Sequence, residues 1–270
     1  MNKLILCEGK TDAILLSYYL EKVAGWKYTT KSPSGLKFKI SNENESMNWY
    51  RKDQDYLLIC SVGGKSNFGK FFINRIKAPQ VMIDAFEKIV IITDRDDRAE
   101  DEICTSLLED TSHFFQNIKN RQWCKNIYQN DFRMQKELQL LLLIIPTEHA
   151  GALENVMLDA IAEDAYDKNI VDKTEVFVKQ MRKEAAKYIS SNRLQLKAHL
   201  GVTWAIQYPE KVFSVIDEQI KGGALGAVGN VRAMFWNVAR IVVIKKRCRR
   251  CRCAVRQRNK YYVRKWHKPL

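Results

Sequence analysis

A chain of 270 residues with 46% hydrophobic residues is long enough for one large domain or two small ones with a real core. No apolar run approaches the roughly 18 residues of a membrane span, and the N-terminus has no basic stretch followed by a long apolar one, so no membrane role and no signal peptide are expected and a cytoplasmic location is. The formal charge of +14 belongs to the tail: from Lys221 onward there are 15 Lys or Arg and no Asp or Glu, which leaves 30 basic against 31 acidic residues in the first 220.

The chain opens on Leu4-Ile-Leu-Cys7, a short apolar run, followed by Glu8-Gly-Lys-Thr-Asp12. Residues 13–23 are apolar nearly all round and predict a buried helix, with Thr11 or Asp12 as its cap and Gly25 as its stop. Residues 26–54 are rich in Lys, Ser, Asn and Glu and read as an inserted hairpin or loop excursion outside the core. Tyr56-Leu-Leu-Ile-Cys60 predicts a second strand, and Ser61-Val-Gly63-Gly64-Lys65-Ser66-Asn67 a tight turn into a helix over 67–77. A short helix over 79–86 precedes the third strand.

That strand ends in Ile89-Val-Ile-Ile-Thr-Asp94-Arg-Asp96-Asp97. A continuous β-branched apolar run reads as a strand buried on both faces, as in parallel sheets. In extended backbone, residues i and i+2 point the same way, so Asp94 and Asp96 would project together from the carboxyl end of the strand. Open α/β sheets place their ligands there. Two like charges side by side repel unless a cation lies between them.

Residues 100–119 are helical in pattern, and residues 138–145 predict another buried strand, stopped by Pro146. Strands alternating with helices at this spacing predict an α/β fold with a mostly parallel central sheet flanked by helices. From residue 150 the period changes: Leu153, Val156, Met157, Ala160 and Ile161 follow helical spacing, Phe177, Met181, Ala185 and Tyr188 continue it, and a further helix is expected over 209–220. The expected organisation is an α/β catalytic domain over 1–149, a helical extension over 150–221 packed on it, and a basic, poorly patterned tail over 222–270.

Three turns thus align at strand ends: Glu8-Gly9-Lys10-Thr11-Asp12, Gly63-Gly64-Lys65 and Asp94-Arg95-Asp96. A glutamate after the first strand and an Asp-x-Asp after a later one resemble the Toprim domain, shared by topoisomerases, bacterial primases, repair proteins and OLD-family nucleases. The Glu-Gly-x-x-Asp form is most like the OLD-type nucleases and their small stand-alone relatives. The resemblance implies a Toprim-like fold and Mg²⁺-dependent (or Mn²⁺-dependent) cleavage of DNA or RNA with one or two ions, in a phage-defence or repair setting. It implies Glu8 as general acid or base, Asp94 and Asp96 as metal holders, Asp12 as the acid joining a metal site, and Glu154, in Gly151-Ala-Leu-Glu154, as a later metal ligand. It also implies an ABC- or SMC-like ATPase partner, encoded separately because this chain has no Walker A motif. The third acid of the topoisomerase pattern is replaced by Arg98.

The chemistry of the residues agrees, because phosphodiester hydrolysis uses hard cations on carboxylate oxygens. Each motif also has a plainer reading as a turn and helix cap, and Glu154 as a first-turn acid on a helix dipole. Gly63, Gly64 and Lys65, with Lys10, read as a turn whose amides and ammonium groups approach a phosphate. Lys179, Arg182, Lys183 and Lys187 fall on roughly one face opposite Phe177, Met181 and Tyr188, a stripe that is either solvated or contacts nucleic acid. Cys7, Cys60, Cys104 and Cys124 read as reduced thiols, whereas Cys248, Cys251 and Cys253 with His267 have the ligand types of a zinc site or simply belong to a cysteine-rich basic tail. Two alternatives to the nuclease stand: a primase-like nucleotidyl transferase on the same acids, and a non-catalytic nucleic-acid-binding or regulatory partner of an ATPase.

Overall fold

A computed structural model of the chain describes residues 2–33, 35–36 and 42–211. Seven strands form one mixed sheet: β1 (Asn2–Cys7), β2 (Lys27–Thr29), β3 (Ser46–Lys52), β4 (Asp55–Ser61), β5 (Phe86–Asp94), β6 (Trp123–Gln129) and β7 (Gln135–Ile145), in the order β2-β3-β4-β1-β5-β7-β6. The four central strands are parallel, with Leu4 opposite Leu58 on one side and Ile89 on the other, and Ile89 opposite Leu140. Antiparallel strands close both flanks. The protein is α/β, with the carboxyl ends of β1, β4, β5 and β7 along one edge.

Period-two alternation divides the central strands between two cores. Ile5, Val90, Ile92, Leu141 and Leu143 face α1 (Lys10–Ala24), α5 (Leu153–Ile161) and the buried stripes of α6 (Ala165–Glu184) and α7 (Asn192–Gln207). Leu4, Leu6, Ile89, Ile91, Leu140 and Leu142 face α2 (Phe68–Phe71), α3 (Gln80–Ile83) and α4 (Glu100–Asp110). Each buried Leu or Ile contributes about 1.5–3 kcal/mol relative to exposure, which is why the central strands are apolar on both faces.

Several local expectations are corrected. The hairpin expected within 26–54 is present as the antiparallel pair β2–β3, but it extends the main sheet and does not lie outside the core, since Trp26, Leu36, Trp49 and Tyr50 are buried. The segment expected as one helix over 67–77 is a 3-10 turn, α2 and a π-helical stretch, Phe72–Lys77. The helix expected to run to residue 119 stops at Asp110, yet Phe114, Phe115 and Ile118 still pack in or against the second core. β6 belongs to no element expected from sequence, α7 lies within the expected helical extension without having been delimited there, and after Pro209 the described backbone is a 3-10 turn, Pro209–Lys211. The remainder of 209–220, the basic tail and the Cys248, Cys251, Cys253 and His267 set lie outside the described residues. No helix among the described residues is long and apolar enough to cross a membrane.

The outer edge of β6 is covered by side chains of the preceding loop. The Ile127 amide donates to Gln116 Oε1 at 3.2 Å, Asn117 Nδ2 donates to the Lys125 carbonyl at 3.3 Å, and the Gln116 and Asn117 amides both donate to Asn126 Oδ1.

Candidate functional site

Glu8 follows directly on the last residue of β1 and is buried, with 1% of the residue's surface exposed. Oε1 accepts from the Thr93 hydroxyl at 2.7 Å and from the Asp94 amide at 2.9 Å, so β5 holds the carboxylate from the neighbouring strand. Oε2 is buried and has no hydrogen-bond partner. The Arg193 guanidinium of α7 stands 3.8 Å from it, within ion-pair range but beyond a hydrogen bond.

Asp94 is the last residue of β5, buried, and its Oδ1 accepts from the Leu153 amide at 3.0 Å. It therefore caps the first turn of α5, next to Glu154. Asp12, at the third position of α1, accepts from the Gly9 amide at 2.7 Å. Glu154 is buried in the first turn of α5 and is ion-paired with the Lys197 ammonium of α7.

Four carboxylates from three elements and one strand end thus feel each other. Burial, then the charges of Glu8, Asp12 and Glu154, push Asp94 up from 3.8 to about 8, against the opposing Leu153 amide. Burial also pushes Asp12 up to about 7, opposed by the Gly9 amide, and the charges of Glu8 and Glu154 add to it while Lys197 counteracts it. Burial, followed by the charge of Asp12, raises the Cys7 thiol well above its ordinary value.

Asp96 does not join this group. β5 ends at Asp94, and Asp96 has a left-handed backbone, φ 52°, with its amide and carbonyl paired to Gly151 at 2.7 and 2.8 Å. The i, i+2 rule fails because the backbone is no longer extended there. The Asp96 carboxylate turns instead to Lys65 Nζ at 2.9 Å.

Lys65 is thereby committed as well, since its ammonium also donates to the Asp94 carbonyl at 2.8 Å. The Gly64 amide donates to the Glu8 carbonyl at 2.9 Å. Gly63 and Gly64 have φ of 79° and 121°, which suits glycine, and the turn they make straps the ends of β1 and β5 together. In this arrangement Lys65 is a tie between strand ends. Lys10 is exposed at the start of α1.

The basic stripe on α6 differs from the sequence expectation. The buried positions are Val171, Thr174 and Val178, whereas Phe177 and Tyr188 are exposed, so those two are not the core stripe. Lys179 pairs with Glu175, Arg182 donates to Asn192 Oδ1 and Gln195 Oε1 at 2.7 Å each, Lys183 is exposed, and Lys187 lies beyond the end of the helix over the Tyr188 ring. The cations that reach the acids are Arg193 and Lys197 of α7, which lies in the segment expected as a helical extension but was not delimited there as a separate helix. Its signal was present in the spacing of Leu196, His199, Leu200, Thr203 and Trp204.

The donor chemistry of Glu8, Asp12, Asp94 and Glu154 fits a hard divalent cation: all are carboxylates, burial and then their neighbours' negative charges push two of them up, and one buried oxygen has no hydrogen-bond partner. In this arrangement no three acidic, His or Cys groups among the described residues meet closely enough to hold an ion.

No curated protein matches the chain. A solved structure described as that of a hypothetical protein from Pyrococcus horikoshii is similar at 16% identity, covering 88% of this chain and 99% of its own, with a TM-score of 0.44. The family model described as protein of unknown function DUF3226 matches residues 2–215, and the chain belongs to that family.

Proposed function

We propose that this chain is a Toprim-type, Mg²⁺-dependent nuclease of the OLD-related kind, hydrolysing phosphodiester bonds in DNA or RNA. One observation supports the reading: the buried Glu8, Asp94 and Glu154 and the nearby Asp12 lie within electrostatic reach of one another beside the carboxyl ends of β1 and β5, with an oxygen of Glu8 that has no hydrogen-bond partner. Buried, mutually repelling carboxylates with shifted titration are common where a cation or a substrate is handled.

In this reading Glu8, Asp12, Asp94 and Glu154 hold the metal. Bound Mg²⁺ would neutralise the phosphate and orient the attacking water. Thr93 and the Asp94 amide fix one oxygen of Glu8, so Oε2 is the oxygen that would either hold the metal or exchange a proton with the water, Asp12, Asp94 and Glu154 holding the metal in the second case. Arg193 and Lys197 supply positive charge for phosphate oxygens. Asp96 becomes a ligand only on leaving Lys65. A separate ATPase partner is part of the proposal, on the resemblance alone.

The test is cleavage of single-stranded DNA, duplex DNA and RNA with Mg²⁺ or Mn²⁺. Glu8→Gln and Asp94→Asn each reduce cleavage by about 100-fold or more if both act in the reaction. Undiminished cleavage by both variants sinks the reading. A second reading, a structural or binding role, is favoured by the capping bonds that Asp12 and Asp94 already make. It requires that Mn²⁺ leave the melting temperature unchanged.

A further inference from the structure

Both cations beside the carboxylate cluster stand one turn apart on α7. Lys197 is ion-paired with Glu154, and Arg193 lies 3.8 Å from the orphaned Oε2 of Glu8. The two sides of these pairs differ in access: the Arg193 and Lys197 side chains are each 46% exposed, against 2% for Glu8 and 10% for Glu154. The acids have nowhere to go, whereas the cations have an open route to water.

We propose that Arg193 and Lys197 are resident counter-ions of the carboxylate cluster, which a divalent cation must displace, so that the first two turns of α7 register whether the metal is bound. The inference rests on the metal-dependent reading above and concerns these two side chains only. The rest of α7 is anchored independently. His199 Nε2 meets the Val171 carbonyl at 2.9 Å, the Thr203 and Thr174 hydroxyls meet at 2.8 Å, and Leu200 and Trp204 are buried. Displacement therefore swings two side chains out to solvent and leaves the α6–α7 interface intact. The Arg193 contact is the weaker of the two, being longer than a hydrogen bond, and yields first. Once released, the two cations remain one turn apart at the solvent-exposed rim of the cluster.

The experiment is a calorimetric Mn²⁺ titration of the chelator-treated full chain. The Arg193→Met, Lys197→Met double variant binds Mn²⁺ about tenfold more tightly than the wild type, because two competing charges are gone. Each single variant binds about threefold more tightly, which decides the matter if the double variant fails to fold. Lys197→Arg keeps the wild-type affinity, as does Lys27→Met on the distant edge strand β2, which removes the same charge away from the site. Without metal the Lys197→Met variant melts below the wild type, and saturating Mn²⁺ closes the gap. Wild-type binding with unchanged or weaker affinity in the variants overturns this inference and leaves the metal-dependent reading standing. No Mn²⁺ binding by the wild type overturns both.

Discussion

The Thr93 hydroxyl donates to Glu8 Oε1 at 2.7 Å across the seam between β1 and β5, with both side chains buried. One short bond therefore sets where the other oxygen of Glu8 lies. Thr93→Val keeps the shape and removes the donor. It is expected to lower stability by about 1 kcal/mol, since the Asp94 amide still satisfies Oε1, and to reduce any Glu8-dependent cleavage through kcat more than KM. Urea denaturation and steady-state kinetics check the two halves separately.

The pH dependence of metal-free stability follows from Asp94 at about 8 and Asp12 at about 7. Both lie above an unfolded carboxylate near ~4. Between those limits the folded chain holds more protons than the unfolded one, so raising the pH favours unfolding. In chelator, these two groups are expected to lower the melting temperature as pH rises from about 4 to about 8 and to add no further fall above that, with Asp94→Asn flattening the slope. A melting temperature that rises over the same interval contradicts the burial of these acids.

Gly151 has φ 142° and its amide and carbonyl pair with Asp96 just before α5 begins. A β-carbon there would fall on the side-chain oxygen of Asn155, which accepts from the Ala152 amide at 2.9 Å. Gly151→Ala is expected to cost about 1–3 kcal/mol and to disturb the α5 start that carries Glu154. Chemical denaturation measures the loss, and amide exchange at Leu153 locates it.

Lys65→Met removes the tie between the Asp94 carbonyl and the Asp96 carboxylate. If Lys65 is a strap, stability falls by about 1–2 kcal/mol and nucleic-acid affinity in the absence of metal is unchanged. A phosphate-binding lysine would instead show a weaker affinity and a shallower salt dependence.

The central strands were legible because burial on both faces leaves runs such as Leu57-Leu-Ile-Cys60 and Ile89-Val-Ile-Ile with no other reading. The edge strands were not. β3 carries Met47, Trp49 and Tyr50 among Asn, Arg and Lys, because a flanking strand faces water in part, and the polar residues masked its pattern. In the candidate site, Glu8 and Asp94 stood out at the ends of predicted strands, whereas Asp12 and Glu154 were singled out only by the resemblance to the OLD-type Toprim domain, since a helix-start acid has an equally good reading as a cap. Asp96 was misplaced because its neighbour is Gly151, a tertiary contact that bends the backbone out of strand geometry. The approach of Arg193 and Lys197 to Glu8 and Glu154 was not legible for a similar reason: it is made by how α7 packs, and no local spacing encodes it.

The sheet ends at β6 by chemistry. With the Ile127 amide and Lys125 carbonyl already engaged by Gln116 and Asn117, a foreign strand arriving at that border would have to dislodge two side chains before forming its first rung. Continuous growth of the sheet from molecule to molecule is thereby denied a starting edge on this flank, which keeps a chain with exposed Ile127, Phe132 and Met134 nearby from templating its own aggregation there.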